Sequence, residues 1–112
     1  MEDPQASEPT KGVLHDLVNA VADIRLSVDE AVLFEQLAEE CTELSHASMK
    51  MARKIRGENY TPSTYSQIKK KVEEETADVI LVMMVLNLHY DLDTMKYKLN
   101  RWLKRMDQHD HD

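Results

Sequence analysis

Residues 75–86, ETADVILVMMVL, contain two acidic side chains just before eight consecutive apolar residues. These eight residues, 79–86, are called here the apolar run. A helix that is apolar on every side must be surrounded on all faces. Three other helices from a chain of 112 residues can hardly surround this one, so we expect subunits to pack against each other at the apolar run. A single well-buried central helix in a monomer is the alternative.

The rest of the chain is also helical in character. It contains only two glycines and three prolines, the residues that punctuate turns, and no stretch alternates cleanly between apolar and polar side chains. We predict an all-α fold, a four-helix bundle completed by subunit packing, with helices at 12–25, 28–56, 62–90 and 94–106. The predicted domain, 12–106, follows a disordered leader at 1–11 and precedes a flexible tail at 107–112.

Local signals predict where these helices begin and end. Ser27 has the spacing of a capping box with a glutamate three residues later, in which each side chain satisfies a free backbone amide. Gly57 is typical of the position just beyond a helix C-terminus. Thr61-Pro62 is predicted to be an N-cap followed by proline at the first helical position. Asp93 is predicted to cap the fourth helix.

Composition excludes several classes of partner. The net charge of −7 argues against binding a DNA or RNA polymer, because such binding requires clustered lysine and arginine. The apolar run is far shorter than the roughly 18 residues of a membrane span, so we predict no membrane association. Cys41, the single cysteine, excludes an intramolecular disulfide, and we expect it to lie in an apolar stripe. The N-terminus has no signal-peptide character, so the predicted location is the cytoplasm.

Four of the 21 acidic residues interrupt apolar helical faces. Glu40 lies inside the apolar stripe of the second helix, and Glu43 lies at its edge. Glu75 and Asp78 project onto the side of the third helix that becomes fully apolar one turn later. Each pair has i, i+3 spacing, so its two members share one helical face. In an antiparallel hairpin of these helices the two pairs can face each other, and we call the four residues the carboxylate cluster.

The carboxylate cluster predicts a divalent-metal site. Four carboxylates at the margin of a core cannot all stay ionised without a counter-charge. Mg²⁺, or alternatively Mn²⁺, meets this need, since hard cations take oxygen ligands and keep several waters for substrate phosphates. No histidine has the spacing expected of a zinc site. The alternative is that these carboxylates are solvated or paired with lysines.

The acidic segments carry a family resemblance. Residues 39–44 (EECTEL) and 74–79 (EETADV) resemble the ExxE…ExxD signature of the MazG-like, all-α nucleoside triphosphate pyrophosphohydrolases. Residues 96–101 (KYKLNR) are similar to the KxxxNR stretch that follows the second acidic pair in several of those enzymes. The resemblance covers about residues 29–106. It implies a homodimer or homotetramer that hydrolyses (d)NTPs to the monophosphate and pyrophosphate with Mg²⁺.

The resemblance also implies roles for individual residues. The four members of the carboxylate cluster would be the catalytic metal ligands, and one of them would orient or deprotonate the attacking water. Lys96, Asn100 and Arg101 would contact the triphosphate. Several family members stack the nucleobase on aromatic residues near the N-terminus. The first helix here has no such residue, so the base pocket is unassigned.

Two lysines continue the line of Glu43 along the second helix. Lys50 lies seven residues after Glu43 on the same side, and Lys54 extends that line by one turn. Either residue could reach a phosphate or the base of a nucleotide. Plain surface lysines on an amphipathic helix are the alternative.

Two other functions compete with hydrolysis. A non-catalytic helical oligomerisation or binding module would use the acidic face to bind a partner or a metal, without basic residues of the fourth helix nearby. A ferritin-like di-iron bundle needs Glu-x-x-His pairs, and neither acidic pair here has its histidine. Activation by Mg²⁺ would favour the hydrolase, whereas a purified protein coloured by bound iron would favour the di-iron bundle.

Overall fold

The computed structural model describes residues 11–58 and 60–110, and these residues form four helices and no strand. The predicted all-α fold is therefore confirmed. The predicted leader lies outside the described residues except for Lys11, which already begins the first helix. The helices are α1 (Lys11–Ser27), α2 (Glu30–Arg56), α3 (Tyr65–Val85) and α4 (Leu92–Asp110). None of them is long and apolar enough to cross a membrane.

Helices α2 and α3 form an antiparallel hairpin, which is the arrangement in which the two acidic pairs can face each other. Gly57 ends α2 in the left-handed region (φ 72°), where its amide and the next one bond back to carbonyls of the last turn. At the start of α3, Thr64 accepts a hydrogen bond from the amide of Gln67, whose side chain accepts from the amide of Thr64. The capping box therefore starts α3 at Tyr65, and the predicted start at Thr61-Pro62 is wrong.

The connection from α1 to α2 differs from its predicted form. Asp29 is the N-cap of α2 but makes no side-chain capping bond. Ser27 still belongs to α1, where its hydroxyl donates to the carbonyl of Asp23 at 2.7 Å. The predicted capping box at Ser27 is wrong, because the hydroxyl bonds back into the preceding turn instead.

A small core fixes α1 against the hairpin. Val21, Leu33 and Val85 are buried together, one from each of the first three helices. The Arg25 guanidinium donates to the carbonyls of Met84 and Val85, both at 2.8 Å, so it caps the C-terminal end of α3. The open end of the α2–α3 hairpin is thereby closed by α1.

Helix α3 ends five residues earlier than predicted. Asn87 adopts a left-handed conformation (φ 56°), and its amide and that of Leu88 bond to the carbonyls of Met84 and Met83. This is the same termination as at Gly57, with asparagine tolerating the positive φ. The predicted end at residue 90 is wrong, because these hydrogen bonds and the positive φ of Asn87 end the helix and redirect the chain from the axis of α3.

Helix α4 is longer than predicted at both ends. Asp91 accepts hydrogen bonds from the amide of Asp93 and the hydroxyl of Thr94, so it performs the capping role that we predicted for Asp93. Helix α4 continues to Asp110, so residues 107–110 are helical rather than part of a flexible tail.

Much of the apolar surface is uncovered within one chain. Only Val85 of the apolar run is fully buried, and four members of the run are more than a third exposed. Helix α4 has no substantial packing against α1, α2 or α3, and its apolar stripe is exposed, including Trp102 at 65%. The alternative of a well-buried central helix in a monomer is therefore wrong. Completion of the bundle by a second subunit stays a prediction.

Candidate metal centre

The hairpin brings the predicted carboxylate cluster together. Each of Glu40, Glu43, Glu75 and Asp78 offers one carboxylate oxygen, and these four oxygens all lie within 4.8 Å of one another. Because α2 and α3 are antiparallel, the later residue of the α2 pair lies beside the earlier residue of the α3 pair. The i, i+3 spacing on both helices then directs all four side chains into the same space.

Burial divides the cluster into an inner and an outer pair. Glu75 is only 6% exposed and Glu40 is half-buried, whereas Glu43 and Asp78 are exposed. Both inner residues have a buried Oε2 atom with no hydrogen-bond partner. A buried carboxylate oxygen without a partner is costly, so these two atoms indicate a missing cation or donor.

Each inner carboxylate is held by the residue four positions before it. The amide of Gln36 donates to Glu40 Oε1 at 2.7 Å, and the ammonium of Lys71 contacts Glu75 Oε1 at 2.9 Å. These contacts fix one oxygen of each carboxylate and leave the other one free. They resemble the outer-shell hydrogen bonds that orient metal ligands in proteins.

Neither Gln36 nor Lys71 is among the site residues predicted from the sequence. Their signal was the i, i+4 spacing to Glu40 and Glu75, which places a donor one turn from each carboxylate. The expectation of lysine-paired carboxylates is met for one oxygen of Glu75 only. The charges of the other three carboxylates are not balanced by any ion pair among the described residues.

Crowding of negative charge perturbs the cluster. The nearby Glu40 carboxylate, with Glu75 adding to it, raises the pKa of Glu43 above its ordinary value of 4.5. The hydrogen bond from Lys71 lowers the pKa of Glu75, and the same contact raises the pKa of Lys71. Glu43 is therefore the member whose ionised form is disfavoured, and a divalent cation would relieve that cost.

The donor set fits a hard divalent cation. Opposite oxygens around Mg²⁺ lie about 4.2 Å apart and those around larger cations somewhat further. A cluster with oxygens within 4.8 Å reaches such a geometry through small side-chain rotations. No histidine or cysteine belongs to the cluster among the described residues, and Cys41 is exposed rather than part of an apolar stripe. The arrangement therefore suits oxygen-seeking metals rather than zinc.

A cavity of about 240 Å³ lies next to the cluster, toward the closed end of the hairpin. Lys50 and Lys71 supply the charged groups of its lining. Lys50 therefore lies beside this cavity, and its predicted contact with a nucleotide stays a prediction. Lys54 lies further along α2, where its ammonium donates to the carbonyl of Thr61 at 3.3 Å and ties down the loop.

The predicted triphosphate contacts are not brought to the cluster within one chain. Lys96, Asn100 and Arg101 lie on α4, which does not pack on the hairpin. Arg101 lies over the ring of Tyr97, 5.9 Å from its centroid, and the cavity that Asn100 and Arg101 line is formed by α4 residues alone. Spacing along one helix could not reveal this separation, because it depends on how α4 leaves the end of α3.

Comparison of the chain with models of known protein families, with curated proteins and with solved structures gives no match. The functional interpretation therefore depends on the geometry of the site and on the resemblance of its motifs.

As the pH is lowered, the metal affinity should begin to fall at a higher pH than it would at a site of ordinary carboxylates. A metal would bind ionised carboxylates, and the raised pKa of Glu43 makes this residue harder to ionise than an ordinary glutamate. Below that pKa the affinity for Mn²⁺ should fall about tenfold per pH unit, because binding must release one proton. Calorimetric titration of Mn²⁺ at several pH values between neutrality and pH 4.5 measures this slope.

Glu35→Gln is the matched control for this titration, since Glu35 is exposed on α2, lies outside the cluster and does not contribute to the raised pKa of Glu43. It should keep the pH profile, whereas Glu43→Gln should flatten it and weaken binding. A Mn²⁺ affinity that is constant down to pH 4.5 in the unsubstituted protein would contradict the assignment.

Proposed function

We propose that the chain is a Mg²⁺-dependent nucleoside triphosphate pyrophosphohydrolase of the MazG-like kind, working in the cytoplasm. The observation that carries the proposal is the convergence of four carboxylates from two helices within 4.8 Å, with buried, unpartnered oxygens on Glu40 and Glu75. The two acidic motifs that resemble the family supply the residues that converge in space, whereas the stretch similar to KxxxNR lies apart on α4.

The proposed reaction needs little covalent chemistry from the protein. Water attacks the α-phosphorus of a (d)NTP, a new P–O bond forms, and the bond from the α-phosphorus to the bridging oxygen breaks, releasing pyrophosphate. Bound Mg²⁺ supplies charge neutralisation of the phosphates and lowers the pKa of water. The chain positions the reactants and accepts the proton of the attacking water.

The inner and outer carboxylates take different parts in this proposal. Glu40 and Glu75 are the more buried pair and each has a buried Oε2 atom without a hydrogen-bond partner, so they form the inner part of the metal site. Glu43 and Asp78 are exposed and can reach both a ligand and bulk water. The proton acceptor is therefore one of these two residues.

A second copy of the chain is part of the proposal. Among the described residues only five hydrophobic side chains are buried, and most of the large apolar ones are exposed. Permanent homodimers bury about 1,000–2,500 Å² per subunit, so an assembly of this kind needs an extended apolar surface.

The apolar faces of α3 and α4 supply this surface, and a copy of the same chain has the matching stripes. Docking of α4 from the second copy is also the route by which Lys96, Asn100 and Arg101 reach a triphosphate at the carboxylate cluster. Whether two or four copies assemble is decided by the mass in solution.

The competing function is a non-catalytic module that binds metal or a partner through the acidic face. It shares the carboxylate cluster with the hydrolase but requires no turnover. A ferritin-like iron site is disfavoured, since no histidine belongs to the cluster among the described residues.

Pyrophosphate release from a panel of ribo- and deoxynucleoside triphosphates should depend on Mg²⁺ and stop with EDTA. Glu40→Gln and Asp78→Asn should each lower kcat/KM by at least about 100-fold, since losing a metal ligand costs more than the 10–100-fold of losing an outer-shell partner. Circular dichroism should show unchanged helicity.

Glu39→Gln removes the same charge outside the cluster and should keep full activity. Full activity of both Glu40→Gln and Asp78→Asn would place the reaction elsewhere. If the folded, metal-loaded protein releases no pyrophosphate from any nucleotide of the panel, the non-catalytic binding module is favoured.

Light scattering at micromolar concentration should give a mass of two or four chains. Trp102→Glu should shift that mass toward a single chain, because a charge in an apolar interface is strongly unfavourable. Tyr60→Glu is the control and should keep the assembly, because it is also an aromatic-to-glutamate change but lies in the loop between α2 and α3, where the side chain is 93% exposed. If the unsubstituted protein has the mass of a single chain, the proposed assembly with a second copy is wrong.

A further inference from the structure

Lys71 belongs to two neighbouring features of the hairpin. Its ammonium contacts Glu75 Oε1 at 2.9 Å, inside the carboxylate cluster. The same residue lines the cavity of about 240 Å³ between α2 and α3. Its side chain is 61% exposed, so only the ammonium is held while the aliphatic stem is free to move. A modest rotation of the stem therefore carries the charge from the carboxylate into the cavity.

The cavity has the character of an anion site. Both of its charged lining residues, Lys50 and Lys71, are cations, and no acidic residue lines it. Ser63 and Gln67 add polar groups, and they lie at the N-terminal end of α3, where the helix dipole favours negative charge. The remaining lining residues are buried and apolar, Ala47 and Ile68.

The size of the cavity suits two linked phosphate groups. A volume of about 240 Å³ corresponds to roughly eight waters at about 30 Å³ each. Pyrophosphate has nine non-hydrogen atoms, and its oxygens accept the charge-assisted hydrogen bonds that lysines donate. Lys71 lines the cavity and also contacts Glu75, so one side chain would link a diphosphate group in the cavity to a metal held by the cluster.

Within the proposed metal-dependent function, we propose that this cavity binds the two terminal phosphates of the ligand, and that Lys71 is a displaceable cation. In the metal-free protein Lys71 neutralises Glu75. When a divalent cation takes Glu75 as a ligand, the two positive charges repel each other, and the Lys71 ammonium turns to the phosphates beside Lys50. Metal and phosphate binding are thereby coupled through one side chain.

The displaceable role predicts opposite effects of one substitution on two ligands. Lys71→Met removes a cation that competes with the metal, so the affinity for Mg²⁺ alone should rise about two- to tenfold. The same variant lacks a phosphate ligand, so the affinity for pyrophosphate at saturating Mg²⁺ should fall at least about tenfold. Lys50→Met should weaken pyrophosphate binding only, and Lys71→Arg should restore most of it.

The experiment is isothermal titration calorimetry with Mg²⁺ alone and then with pyrophosphate at saturating Mg²⁺, with helicity checked for each variant. Lys69→Met is the matched control, because this substitution also removes one positive charge and Lys69 lies on the opposite side of α3 from Lys71. It should leave both affinities within about twofold of the unsubstituted protein.

Three results would overturn the inference. If Lys71→Met weakens pyrophosphate binding no more than Lys69→Met does, the cavity is not the phosphate site. If Lys71→Met weakens Mg²⁺ binding, Lys71 merely orients Glu75 and is not displaced. If the unsubstituted protein binds no Mg²⁺, the metal site itself fails and the inference fails with it, an outcome that calorimetry distinguishes from the first two.

Discussion

Repulsion among four carboxylates, held together by the packing of α2 against α3, is the constraint on which the site depends. Their oxygens lie within 4.8 Å of one another, yet the described residues supply a single ion pair to the cluster, from Lys71 to Glu75. The raised pKa of Glu43 is the direct electrostatic consequence. A carboxylate with a raised pKa destabilises the fold once the pH exceeds that pKa, so the metal-free protein is under electrostatic strain at neutral pH. A divalent cation bound among the four carboxylates would replace that repulsion with attraction.

The second constraint is the small core of the single chain. Val21, Leu33 and Val85 fix α1 to the open end of the hairpin, and Arg25 secures the same junction. Most other large apolar side chains among the described residues stay exposed. Assembly with a second copy would therefore contribute to stability as well as to the site, since it would cover apolar surface and bring α4 to the carboxylates.

Periodic patterns made the carboxylate cluster predictable from the sequence, on the condition that the second and third helices form a hairpin. Acidic residues that interrupt an apolar stripe at i, i+3 must share a face, and two such helices in a hairpin bring the faces together. Helix ends were less predictable, because neighbouring polar residues could form similar capping hydrogen bonds. The caps of α3 and α4 are made by Thr64 and Asp91, and α3 ends at Asn87. The position of α4 could not be predicted at all, since it depends on where α3 stops and on surfaces that one chain leaves unpaired.

The most direct test of the account is the thermal unfolding temperature with and without Mg²⁺, for the unsubstituted protein and for Glu75→Gln. At a Mg²⁺ concentration about 100 times the dissociation constant, binding should stabilise the fold by about 2.7 kcal/mol and raise the unfolding temperature by several degrees. Glu75→Gln should lose most of that rise, because it removes the buried ligand at the centre of the cluster. An equal Mg²⁺ response in both proteins, or none in the unsubstituted one, would contradict a metal site at these carboxylates.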